Sequence, residues 1–180
     1  MAHTKPSWLR TSLCAGAGSL IALAGVAGAA PDSQLQRIKE PTSSQVIAGT
    51  QVVGDVDTRT FRAALEALPR RPDRIVVVGG QAIPPAFARR MQDVDGFVPA
   101  GSRVIYLRRE GTTLREAELS GGPYLLMLAV VIWHEMAHAD GGDEAAARDR
   151  EEELWRQYLR TGRVDGGLGL TYLAELRRRR

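Results

Sequence analysis

Apolar positions recur at two different periods along this chain, and the switches between them divide it into elements. In "RTFRAALEALP", Phe61, Leu65 and Leu68 share one face at helical spacing; Thr58 stands at the cap position and Pro69 ends the run. "RIVVVGG" (Arg74–Gly80) is a short β-branched stretch closed by glycines, the pattern of a buried strand. "RVIYLRRE" (Arg103–Glu110) alternates, with Val104, Tyr106 and Arg108 to one side and Ile105 and Leu107 to the other. Between these strands, Pro84 and Pro85 are placed to open a short helix reaching Met91, and residues 93–102 read as a loop. A polar, mobile stretch is expected from Gly111 to Gly122.

The second half is dominated by helices. A long one starts at Pro123, tolerated at a first turn, and runs to about Ala139. Its apolar part, Tyr124–Trp133, is too short to span a bilayer and predicts a buried core helix, with Trp133 and Trp155 in the core. Gly141 and Gly142 then permit a sharp reversal. A helix capped by Asp143 is expected to reach about Arg160, carrying Ala147, Glu151, Leu154, Trp155 and Tyr158 along one face, and a last helix covers about Leu168–Leu176. The fold expected is α+β: a small sheet packed on the long helix, followed by C-terminal helices.

Residues 1–29 have the layout of a secretory signal peptide: Lys5 and Arg10, then the apolar run Leu13–Ala24, then Ala27-Gly28-Ala29. Residues 30–56 read as an extended leader and 57–180 as a single domain, long enough for a real core. Removal of the signal would lower the formal charge from +3 to +1, and Arg177–Arg180 supply four of the remaining positive charges. A near-neutral body gives no footing for nucleic-acid binding. Cys14 and His3 would leave with the signal, so any metal site in the exported chain must combine His134 and His138 with oxygen ligands.

Those two histidines lie in "HEMAH" (His134–His138) on the apolar helix. Four residues apart, they differ by about 40° in azimuth and one turn in rise, so both imidazoles can reach one zinc ion. Glu135 sits about 100° further round, beside the metal, where a carboxylate can act as base on an activated water and then as acid. A catalytic zinc needs a third protein ligand. Glu144, in the first turn after the double glycine, is the leading candidate and Glu151 its chief competitor, with Asp140, Asp143, Glu152 and Glu153 behind them. Whichever of Glu144 and Glu151 is not the ligand can accept from a histidine N–H.

This segment resembles the zincin metallopeptidases, whose His-Glu-x-x-His signature "HEMAH" matches at every specified position. "HEMAHADGGDE" overlays the longer metzincin pattern with Glu144 in place of the third histidine, but no methionine follows Met136 to form a Met-turn. A glutamate ligand and "EAAA" (Glu144–Ala147) are closer to compact gluzincins, although the thermolysin-type Glu-x-x-x-Asp is absent. The resemblance covers residues 123–155 well. It implies a minimal zincin-like domain: an exported, zinc-dependent metallopeptidase with Glu135 catalytic and a peptide or protein as substrate. It also implies an edge strand above the motif helix, for which "RVIYL" (Arg103–Leu107) is the candidate, and an oxyanion-stabilising side chain, for which Tyr106, Tyr124, Tyr158 and Tyr172 are available. The alternative is a zincin-like domain in which zinc is structural, or the cleft captures peptides without cutting them.

Overall fold

Among the residues described by the computed structural model, 38–83 and 94–178, five short strands form one mixed sheet. The elements in chain order are β1 (Ser44–Ile47), β2 (Thr50–Val53), α1 (Thr58–Glu66), β3 (Arg74–Val78), β4 (Gly96–Phe97), β5 (Ile105–Arg108), α2 (Thr112–Ser120), α3 (Pro123–Ala139), α4 (Glu144–Arg160) and α5 (Gly166–Arg178). The strand order is β1-β2-β3-β5-β4. The central β2–β3 and β3–β5 pairs are parallel, and the outer β1–β2 and β4–β5 pairs antiparallel. The α+β class is as expected; the signal segment and the helix expected at Pro84–Met91 lie outside the described residues.

Alternation along the strands sets the two layers. Ile75 and Val77 of β3 and Ile105 and Leu107 of β5 join Phe61, Leu65, Leu114, Leu128, Ile132 and Met136 in the main core, under the helices. Val76 and Val78 turn the other way, onto Val53, Ile83 and Val94, with Phe97, Val104 and Tyr106 packed beside them. β3 is thus buried on both faces, which is why "IVVV" shows no polar alternation. α3 is buried nearly all round, as a helix apolar on every side must be. No helix among the described residues is long and apolar enough to cross a membrane.

Several elements differ from the sequence expectations. The stretch expected as a leader supplies β1 and β2, with β2 paired to the central β3. Residues 93–102 hold β4, and the stretch expected to be mobile holds α2. The reason for α2 is a distant cap: Asp95 accepts from the Thr113 backbone N–H (3.3 Å) and hydroxyl, while Leu114 and Ala117 bury. α1 is capped by Asp57 rather than Thr58, its carboxylate accepting from the Arg59 (3.4 Å) and Thr60 (3.0 Å) N–H groups. β5, expected as the edge strand, lies between β3 and β4; the edge over α3 is β4.

The Asp57 cap makes a testable contribution. Its hydrogen bonds to Thr60 hold the carboxyl below the usual range, so its stabilisation is present above the ordinary pKa and disappears as pH falls through the lowered one. Asp57→Ala should cost about 0.5–1 kcal/mol at pH 7, read as a lower urea midpoint with unchanged m-value. That deficit should shrink at acidic pH, where the wild-type cap is itself neutralised.

Candidate metal centre

The site begins where α3 ends. Gly141 adopts φ +89°, its N–H bonds to His138 O (2.9 Å), and the Gly142 N–H reaches back to Ala137 O (2.8 Å). That pair of bonds satisfies the last carbonyls of α3 and reverses the chain. A Cβ on Gly142 would stand 2.9 Å from Ala137 O, so the second glycine is needed for the close approach. Asp143 caps α4 as expected, accepting from Ala146 N–H at 2.8 Å. Fully buried Ala147 allows α4 to lie close against α3.

This turn brings Glu144 to the Nε2 side of the two histidines, while Glu151 meets His134 on its Nδ1 side. His134 Nε2 and His138 Nε2 are 3.2 Å apart, and Glu144 Oε2 lies 3.7 and 3.4 Å from them. These three residues form a possible metal-binding triad. Each Nδ1 faces an acceptor at 3.1 Å: Glu151 Oε2 for His134 and Gly142 O for His138. Each Nδ1 therefore donates, and without a further proton both Nε2 lone pairs would point toward each other and toward a carboxylate oxygen. Such a cluster favours positive charge at its centre, from a proton or a metal ion. A point about 2.0 Å from all three atoms lies at the centre of their triangle, the distance at which imidazole nitrogen and carboxylate oxygen bind transition ions. The residues fit a metal.

Charge argues the same way. Burial alone would lower the His134 pKa, but hydrogen bonding to Glu144 and Glu151 and the charges of Glu151 and Glu135 outweigh it and raise it to about 10. Glu135 is pushed up to about 7, chiefly by burial and further by Glu144 and Glu151, against the pull of His134. Glu135 is 1% exposed, and neither of its carboxylate oxygens has a hydrogen-bond partner among the described residues. An ionisable group so placed is costly unless something else engages it. Gly96 of β4 lies against it: a Cβ there would stand 3.2 Å from Glu135 Cγ.

The other candidate ligands are engaged elsewhere. Asp140 bridges Arg70 (2.6 Å) and Arg150 (2.8 Å), and these partners, Arg150 first, lower its pKa. Glu152 accepts from Arg156 (2.5 Å) and Arg177 (2.9 Å), and Glu153 is exposed. Of the tyrosines, Tyr106 donates to Glu40 on the far face of the sheet, and Tyr158 to Ala67 O. Trp155 is fully buried, whereas Trp133 is half-buried beneath the Arg150 guanidinium.

Two residues with a bearing on the site were not anticipated from the sequence. Arg148 donates from Nε to Glu144 Oε1 (2.7 Å), leaving Oε2 turned to the histidines; its i,i+4 spacing was a readable signal. Gly96 carried none. Tyr172, offered as an oxyanion candidate, places its hydroxyl 3.4 Å from Glu151 Oε1. No protein-family model, curated protein or solved structure matches this chain.

A divalent ion entering the triad must displace the proton that the raised pKa keeps on His134 at neutral pH. Binding at pH 7 should therefore release about one proton, and affinity should rise about tenfold per pH unit until pH nears that pKa. Titration calorimetry in two buffers of different ionisation enthalpy measures the release directly. A pH-independent affinity would contradict the assignment.

Proposed function

We propose that this chain is an exported zinc metallopeptidase of the zincin type, hydrolysing peptide bonds. The observation that carries the reading is the buried Glu135 carboxylate, without a hydrogen-bond partner among the described residues, next to a triad able to hold an ion. A structural metal site needs no such group. His134, His138 and Glu144 would hold the zinc, three protein ligands being the number that leaves a position open for chemistry. Zinc held there supplies Lewis acidity, acidifying water toward neutrality and polarising a carbonyl oxygen.

The remaining work falls to the chain's own groups. Glu135 Oε takes a proton from the attacking water and hands it to the departing amine, and a carboxyl pushed up to about 7 by burial can do both near neutral pH. Glu151 and Gly142 O hold the two imidazoles in the tautomer that leaves Nε2 available. Among the described residues β4 is the outermost strand on this side of the sheet, and it lies against Glu135 through Gly96. Its outer edge can align an extended peptide by backbone pairing. Support for export comes from the signal-like segment at residues 1–29.

The purified chain should bind about one zinc. Glu135→Gln should keep that zinc while kcat on a peptide-library substrate falls by about 10²–10⁴-fold. Turnover surviving that change would end the mechanism, and a zinc-loaded wild type that binds peptides without cleaving them would favour a peptide-capturing domain instead.

A further inference from the structure

α5 packs on α4, and it stands at the edge of the molecule. Its docking is nevertheless specific. Trp155 of α4 donates from Nε1 to Gly169 O at 2.8 Å, and its ring lies 4.3 Å from that of Tyr172. A Cβ on Gly169 would fall 2.3 Å from Leu159 Cδ2, so any side chain there must displace Leu159 or push the helices apart. Arg177 reaches Glu152 at 2.9 Å, and Leu173 and Leu176 are buried.

One polar thread leads inward from this helix. The Tyr172 hydroxyl lies 3.4 Å from Glu151 Oε1, and Glu151 Oε2 accepts from His134 Nδ1 at 3.1 Å. Glu151 and His134 are both buried, so the Tyr172–Glu151–His134 chain runs from the outermost helix to a residue of the triad with little access for water. The two oxygens of Glu151 thus face different helices. Undocking α5 removes one of its partners and opens the carboxylate to water, which loosens the orientation of the His134 ring.

We propose that α5 is a control element of the metal centre: its docking through Tyr172 and Glu151 raises metal affinity, and metal binding in turn tightens its docking. The inference rests on the metal-centre reading, with Tyr172 as a positioning residue that does not touch the ion. The coupling is necessarily reciprocal, because whatever the docked helix adds to affinity the bound ion adds to docking. α5 packs chiefly on α4, and a helix so attached is where local opening is easiest, so the effect is readable there.

The test uses the full chain and zinc alone. Hydrogen exchange of residues 166–178 should slow when zinc is added, more than exchange of α2, which lies outside this chain of contacts. Tyr172→Phe keeps the ring and its contact with Trp155 but removes the hydroxyl; zinc affinity should fall several-fold, with unchanged circular dichroism. Gly169→Val, which forces α5 away from Leu159, should weaken zinc by about 10–100-fold, the range typical for groups that orient a metal ligand. Zinc binding undiminished in both variants, or protection confined to α3 and α4, would overturn the coupling while leaving the metal centre intact. Failure of the wild-type chain to bind zinc would overturn the centre and this inference together.

Discussion

Two imidazole nitrogens 3.2 Å apart, each ring's other nitrogen already committed to an acceptor, cannot rest without positive charge between them. That electrostatic demand organises the lower half of the molecule. It fixes which carboxylate folds back from beyond the turn, since Glu144 Oε2 must share the same space. It also explains why three glutamates, 135, 144 and 151, are tolerated around one buried histidine, a concentration of negative charge that a protein core would otherwise exclude. A proton on His134 meets the demand in part; a divalent ion meets it more fully.

Legibility in the sequence followed the range of the interactions. α3 and α4, with Asp143 as cap and the double glycine between them, were readable to within a residue because each signal is local: Pro at an N-terminus, Gly at a C-terminus, periodicity in between. The pairing of His134 and His138 was readable for the same reason. Glu144 could be ranked above Glu151 from turn length alone, and Glu151 then took the role left to the loser. What escaped was long-range. α2 is polar by composition and is capped by Asp95 from 18 residues away. β4 has two residues, too few for any periodicity; β2 pairs with a strand whose partner residues lie 23 positions downstream, and β1 pairs with β2.

The site is graded from rigid to peripheral. α3 is embedded in the main core and carries both histidines and Glu135; α4, half in contact with solvent, carries Glu144 and Glu151; α5 carries only Tyr172. Each step outward contributes groups less directly engaged with the triad. Arg148 and Tyr172 play matching parts, since each occupies one oxygen of a glutamate and leaves the other for a histidine. Orientation is thereby imposed on both carboxylates from helices that do not themselves supply imidazole.

Glu135 is the one member of the site that this orienting scheme leaves out. Neither of its oxygens has a hydrogen-bond partner among the described residues, and β4 comes close enough that a single methyl group at Gly96 would press on its Cγ. Burying a carboxyl without partners lowers stability, and substitution by leucine or methionine at that position would pack as well on an otherwise hydrophobic helix. A local violation of packing logic, set one residue from a member of the possible metal-binding triad and beneath the only short strand at that sheet edge among the described residues, is the kind of departure that arises at functional sites rather than in scaffolds. The same isolation that raises the proton affinity of Glu135 keeps bulk water from competing for its proton, so the destabilising feature and the chemically useful one are a single arrangement.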